Sequence, residues 1–98
     1  MQLVFRRQAE LELLEAQLWY EECAPGLGLE FAQAVEAALT QALRMPLAYS
    51  RIEDEFRHVM TRKFPYSLIY AVEGEEMVVI SCFHHSRRPG SWKPSVAH

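Results

Sequence analysis

The chain lacks any stretch long enough to cross a bilayer. Its longest run without Asp, Glu, Lys or Arg is ten residues, Met77 to Ser86, where a membrane helix needs about 20 apolar residues. Cysteine is scarce. Cys23 and Cys82 have no C-x-x-C spacing and sit in apolar surroundings, which predicts buried free thiols rather than a disulfide or a ligand pair. Net positive charge is missing as well: the formal charge is −3 and the pI is about 5.8, which excludes a protein whose affinity comes mainly from neutralising many phosphates. The 98 residues leave no room for a second core and no depth for a dinucleotide-sized cavity. Function is therefore expected on a surface groove or edge. The N-terminal apolar run Leu3 to Phe5 precedes the pair Arg6-Arg7, the reverse of a secretory leader, so a cytoplasmic protein is expected.

Half of the residues are hydrophobic and 23% are charged, the composition of an ordinary globule. The charges are unevenly placed. Residues 1 to 49 carry seven acids against three bases, and residues 50 to 98 carry six acids against seven bases. In the second half the acids cluster at Glu53-Asp54-Glu55 and at Glu73, Glu75 and Glu76, which leaves Arg57, Arg62, Lys63, Arg87, Arg88 and Lys93 on the segments between and after them. A local basic surface on an acidic protein follows.

Hydrophobic periodicity orders the chain. Alternation at Gln2 to Arg6 predicts a short strand. From Gln8 the period becomes helical, with Leu11, Leu14 and Leu18 on one stripe and Leu13, Ala16 and Tyr20 beside it, to about Glu22. A second helix is expected from about Leu29, with Phe31, Val35, Ala38, Leu39, Ala42 and Leu43 in phase, closed by Pro46 after Arg44. The short turn at Ala24 to Gly28 makes the pair an antiparallel hairpin. Met45 to Glu55 reads as a polar loop. Strands are then expected at Phe56 to Phe64, Tyr66 to Val72 and Met77 to Phe83, the last covered on both faces or central in the sheet. The order β-α-α-β-β-β defines an α+β fold, a helical hairpin packed on a small, mainly antiparallel sheet. One domain over residues 1–92 is expected, with a poorly ordered tail at 93–98.

Several side chains could carry chemistry. Period two places Arg57, Val59, Thr61 and Lys63 on one solvent-facing side of their strand, with His58, Met60 and Arg62 on the other. Val78, Ile80, Cys82 and His84 alternate together on the last strand, so His84 leaves the sheet on the apolar side and His85 on the opposite side. The run His84-His85-Ser86-Arg87-Arg88 gathers imidazole, hydroxyl and guanidinium at a strand end, where a rigid sheet can aim them. Imidazole moves protons near neutral pH, and Arg holds a phosphate bidentately. No Asp, Glu or further His has ligand spacing with Cys82 and His84, so neither a metal nor another cofactor is expected. Trp92, after the Pro89-Gly90 turn, is expected to pack on the sheet or the helices and to hold the basic segment before it.

The run Arg57-His58-Val59-Met60-Thr61-Arg62-Lys63-Phe64-Pro65-Tyr66-Ser67-Leu68-Ile69-Tyr70, the Glu-Gly turn after it, and the closing Phe83-His84-His85-Ser86-Arg87-Arg88-Pro89-Gly90-Ser91-Trp92 resemble the RelE/ParE superfamily of bacterial toxin-antitoxin toxins. F-P-Y followed by Tyr70, and H-x-x-R-x-P-x-x-W, look like its plasmid-stabilisation branch. The resemblance extends over roughly residues 2 to 92. It implies the same fold, a small antitoxin that binds and neutralises the toxin, and one of two targets: DNA gyrase, blocked by ParE-like members, or messenger RNA on the ribosome, cut by RelE-like members. Arg57, His84 and Arg87 match positions where the family commonly keeps basic residues. Arg88 stands where members often carry Asp before the proline.

A ribonuclease needs a base for the 2′-OH, an acid for the leaving oxygen and cations for the phosphorane charge. His84 could carry one proton, with Arg57 and Arg87 as the clamp. A second carrier is unidentified, and no tyrosine follows Tyr70 to supply the aromatic hydroxyl that some RelE-like members use. Gyrase inhibition needs only a shaped surface. The favoured reading is therefore a ParE-like toxin that acts by binding rather than by hydrolysis. A RelE-like ribonuclease, and a toxin-fold protein with weak or lost toxicity, are the alternatives. The expected target-binding patch is Arg57, Arg62, Lys63, His84, His85, Arg87 and Arg88. The assembly is expected to be either a homodimer or a toxin-antitoxin hetero-oligomer, with no membrane partner.

Overall fold

A computed structural model describes residues 1–93. In chain order the elements are β1 (Gln2–Phe5), α1 (Arg7–Cys23), α2 (Leu27–Arg44), β2 (Arg51–Glu53), β3 (Phe56–Met60), β4 (Tyr66–Glu73) and β5 (Glu76–His84). The strands make one sheet in the order β1-β5-β4-β3-β2, parallel between β1 and β5 and antiparallel elsewhere. The α+β order expected from the sequence is present, with one addition. β2 lies inside the segment read as loop; its three residues are all exposed and pair irregularly with β3, so no apolar alternation marks it.

The helical hairpin turns at Gly26, which adopts φ 87°, a left-handed conformation that glycine takes without a Cβ penalty. The Glu21 carboxylate accepts the backbone N–H of Gly26 and of Gly28, both at 3.0 Å, so α1 supplies the cap for the first turn of α2. At Gly28 the helices meet closely enough that a Cβ would lie 2.8 Å from the Gln17 carbonyl oxygen.

The two helices bury different kinds of side chain. α2 buries Phe31, Val35, Ala38, Leu39 and Ala42, as its periodicity predicts. α1 buries Ala9 and Ala16, with Leu13 and Tyr20 partly covered, and turns Leu11, Leu14 and Leu18 to solvent. The leucine stripe is therefore not the packing face of α1. Two alanines let the helix lie close to the sheet, and a leucine in their place would hold it off. Between the helices and the sheet, Tyr20, Phe31, Phe64 and Tyr66 form an aromatic cluster with centroids 4.9 to 6.3 Å apart, edge-on except for the tilted Tyr20–Phe31 pair.

The opposite face of the sheet has its own small core of Ile69, Val78 and Ile80, closed by Trp92, with Val4, Phe56 and Phe83 around it. Trp92 packs edge-on against Phe56 at 5.2 Å, so the chain after β5 folds back over this face as expected. Of the tail expected at 93–98, only Lys93 is described; its Nζ lies 2.8 Å from a Glu53 carboxylate oxygen. Cys82 is a buried free thiol, but Cys23, the last residue of α1, is an exposed one.

Candidate functional site

The basic residues singled out above fall into two places. Arg62 and Lys63 are exposed in the turn from β3 to β4, and His84, His85, Arg87 and Arg88 leave the end of β5. These segments are adjacent: Tyr66 opens β4 opposite His84, and the His85 backbone N–H donates to the Pro65 carbonyl at 2.8 Å. Arg57 is elsewhere. It faces Tyr70 across the ladder, four residues along β4 from Tyr66, which places it about 13 Å along the strands and about 10 Å across them from His84. Its guanidinium is committed to the carbonyl of Tyr49 at 2.7 Å, beside the Tyr70 hydroxyl that donates to the Pro46 carbonyl at 2.6 Å.

The solvent-facing side expected for Arg57, Val59, Thr61 and Lys63 is not present. β3 stops at Met60, Val59 and Thr61 are buried under α2, and the Thr61 hydroxyl donates to the Phe64 carbonyl at 2.9 Å. Lys63 takes φ 71° in the turn that follows. Pro65 accounts for the early end, since it cannot donate to the ladder and the chain must turn before it.

A bulge in β5 re-aims the last strand. Tyr70 pairs with Val79 and Ile69 pairs with Ser81, so Ile80 is an extra residue without a partner. The phase expected for Val78, Ile80, Cys82 and His84 breaks there. Val78 and Ile80 face the Trp92 side, whereas Cys82 joins the helix-side core. His84 follows Cys82 and stacks edge-on against Tyr66 at 4.9 Å; its Nδ1 accepts the Ser86 backbone N–H at 3.0 Å and lies 2.7 Å from the Ser86 hydroxyl. His85 goes to the other face, where its Nε2 lies 2.9 Å from the Ser67 hydroxyl. The two neighbouring imidazoles thus serve opposite sides of the sheet.

Arg87 is held by Glu12 of α1. Its Nη1 donates to Glu12 Oε2 at 2.6 Å, and the guanidinium sits 5.3 Å from the centre of the Phe83 ring. The other Glu12 oxygen accepts the Ser81 hydroxyl at 2.7 Å and the Cys82 backbone N–H at 3.0 Å. β1 pairs with β5 only as far as Val79, so the carboxylate substitutes for the missing strand and satisfies an edge donor that would otherwise be buried unpaired. Burial pushes the Cys82 thiol up to about 12, with Glu12 adding to the shift and Arg87 opposing it. Burial likewise pushes the Tyr66 hydroxyl up to about 12. Both stay protonated at neutral pH.

On the Trp92 side a cavity of about 400 Å³ is lined by His58, Ser67, Phe83, His85, Arg87 and Trp92. Burial, and secondarily the neighbouring His85, hold His58 below its ordinary pKa. The candidate proton carrier His84 and the candidate clamp residue Arg57 do not share this cavity, and only Arg87 among the three reaches it. His84, Arg87 and Arg57 therefore do not converge on a common reacting point. What the sheet end offers is a rigid, mostly basic rim made by Arg62, Lys63, His84, His85, Arg87 and Arg88. No group of three or more His, Cys, Asp and Glu side chains able to hold a metal occurs among the described residues.

Sequence reasoning missed two members of this region. Glu12 lies three residues after Ala9 and four before Ala16, on the stripe that is buried rather than on the leucine stripe that marks the helix in the sequence. Taking the alanines as the packing face would have found it. Alternation along β3 separates His58 from Val59, but its proximity to His85 depends on three strands lying side by side.

A family model described as ParE toxin of type II toxin-antitoxin system, parDE, matches residues 3–89. No curated protein matches the sequence. A solved structure described as a chromosomal ParDE TA system from P. aeruginosa superposes with a TM-score of 0.73 at 19% identity, covering 86% of this chain and 95% of that one; at that identity the similarity speaks to the fold.

Proposed function

The chain belongs to the ParE toxin family of type II toxin-antitoxin systems, and on that premise we propose that it binds and inhibits DNA gyrase and is itself neutralised by a cognate antitoxin. The family match over residues 3–89 carries this reading. The dispersal of Arg57, His84 and Arg87 supports binding over hydrolysis, because acid-base catalysis requires its groups within hydrogen-bond reach of one substrate. The contact surface would be the sheet end formed by Arg62, Lys63, His84, His85, Arg87 and Arg88, with Arg57 as a support for the loop behind β3. The work would be done in the cytoplasm, where gyrase acts, and no helix among the described residues is long and apolar enough to cross a membrane.

The test is a supercoiling assay with purified gyrase, together with induction in cells. Inhibition of supercoiling and a DNA-damage response that precedes any arrest of translation are the expected results. Arg87→Ala should abolish both while the melting temperature changes little, since the Arg87 side chain is 40% exposed and the Glu12 carboxylate keeps the Ser81 hydroxyl and the Cys82 N–H as donors. Translation arrest with cleaved messenger RNA and normal supercoiling would replace gyrase with the ribosome, and harmless expression with normal supercoiling would mean that toxicity has been lost.

A further inference from the structure

We propose that Glu12 of α1 is a positioning residue for target binding: it aims the Arg87 guanidinium from the end of β5 at a carboxylate on gyrase. This rests on the reading above that the rim containing Arg87 is the surface that binds gyrase.

Arg87 differs from the rest of the rim. Among the described residues it is the only rim residue with an ion-pair partner, and that partner lies 75 positions away in the chain. The turn that carries Arg87 is closed locally: its backbone N–H donates to the His84 carbonyl at 3.0 Å, and the Ser86 N–H donates to His84 Nδ1 at 3.0 Å. Those bonds fix the backbone and leave the long side chain to be placed by something else. A free arginine side chain samples many rotamers and loses that freedom when a partner binds it. A guanidinium already held in one place therefore binds more tightly.

Glu12 can hold that side chain because the sheet sets its own place. Its side chain is only 15% exposed. One carboxylate oxygen accepts the Ser81 hydroxyl at 2.7 Å and the Cys82 N–H at 3.0 Å, and the other accepts Arg87 Nη1 at 2.6 Å. Two donors on β5 thus orient the carboxylate, and the carboxylate orients the guanidinium through a short, charge-assisted bond. The Phe83 ring, centred 5.3 Å from the guanidinium carbon, restricts it further. Glu12 takes a single N–H of the guanidinium, so the rest of the planar fork keeps a fixed direction and the geometry that matches a second carboxylate.

The experiment measures the concentration of full-length protein that halves supercoiling by purified gyrase, for the wild type, Glu12→Gln, Ser81→Ala and the core control Val35→Ala. In Glu12→Gln the amide oxygen stays with Ser81 and Cys82, so the amide NH2 stands opposite Arg87, a donor against a donor. Inhibition should weaken by about three- to tenfold, the scale of re-ordering one long side chain on binding, and NMR relaxation of the Arg87 Nε–H signal should report a more mobile guanidinium. Ser81→Ala removes one of the two donors that orient the carboxylate and leaves Glu12 and Arg87 in place, so it should shift both readouts the same way by less, and it serves as a second probe should the amide variant not fold. Val35 is buried in α2, away from Arg87. Val35→Ala should lower the melting temperature yet inhibit like the wild type, which separates aim from stability. Wild-type inhibition by every folded variant at Glu12 and Ser81 would overturn the positioning role while leaving the gyrase reading in place. Stronger inhibition by Glu12→Gln would overturn it too, since the carboxylate would then be competing with gyrase for the guanidinium. An equal loss in Val35→Ala would reduce Glu12 to a structural tie. A wild type without effect on supercoiling would overturn the gyrase reading and the positioning role together.

Discussion

α1 and α2 are neighbouring helices of similar length in one hairpin, 17 and 18 residues, yet they use their apolar residues in opposite ways. α2 turns Phe31, Val35 and Leu39 into the core, while α1 turns Leu11, Leu14 and Leu18 out and packs through Ala9 and Ala16, with Leu13 and Tyr20 partly covered. The second helix is held by bulk. The first is held by close approach and by polar ties: Glu12 to the edge of β5 and Glu21 to the start of α2. A helix fastened in this way is free to present large apolar side chains to something else.

The contrast breaks first at Phe31, which is 1% exposed and touches Tyr20, Phe64 and Tyr66. Phe31→Ala should cost about 3 to 5 kcal/mol, read as a lowered denaturant midpoint with an unchanged slope. The corresponding truncation on α1, Leu14→Ala, should stay within about 0.5 kcal/mol of wild type. A comparable loss at both positions would mean that the leucine face packs against the protein after all.

A smaller effect is expected from the polar tie. Glu12→Ala leaves the buried Ser81 hydroxyl and Cys82 N–H without their acceptor, at about 1 to 3 kcal/mol. Glu12→Gln keeps an oxygen for those donors and releases only Arg87, so it should cost less stability while loosening the basic segment. Equal melting temperatures for Glu12→Ala and wild type would show that water can take the place of the carboxylate.

The mildest probe is alkali. Cys82 and Tyr66 hold their protons up to about 12 in the folded protein, above the ordinary 9.0 and 10.0. The unfolded chain loses these protons first as pH rises, so the stability they contribute is complete below about pH 9 and is lost as pH rises from there towards 12. The melting temperature should decline over that window, and Cys82→Ala should make the decline shallower. Because Tyr66 contacts both Tyr20 of α1 and Phe31 of α2, the loss reaches the aromatic cluster that the two helices share.

Much of this architecture was legible in the residues themselves. Leucine and alanine at helical spacing marked both helices, Pro46 and Pro65 marked ends, Glu73-Gly74 marked a turn, and the continuous apolar run from Met77 marked a central strand. The candidate site was legible only as a short run after that strand. The bulge at Ile80 is invisible in a row of apolar residues, since every one of them suits either face, and it reverses which imidazole reaches the helix side. Arg57 was assigned to the same patch because strand membership was known and register was not.

Local periodicity, turn residues and motif spacing are properties of the chain in one dimension, and they suffice for both helices, four of the five strands, the α+β class and the resemblance to ParE-like toxins. Tertiary structure alone decided which side of α1 is covered. A helix with two apolar stripes can pack through either, and the choice is made by the width of the gap between sheet and partner helix, which accepts Ala9 and Ala16 and excludes leucine. It also decided that Glu12 completes the edge of a strand some 70 residues away in the chain, a contact that exists only because β1 ends before β5 does and leaves a backbone donor that must be satisfied.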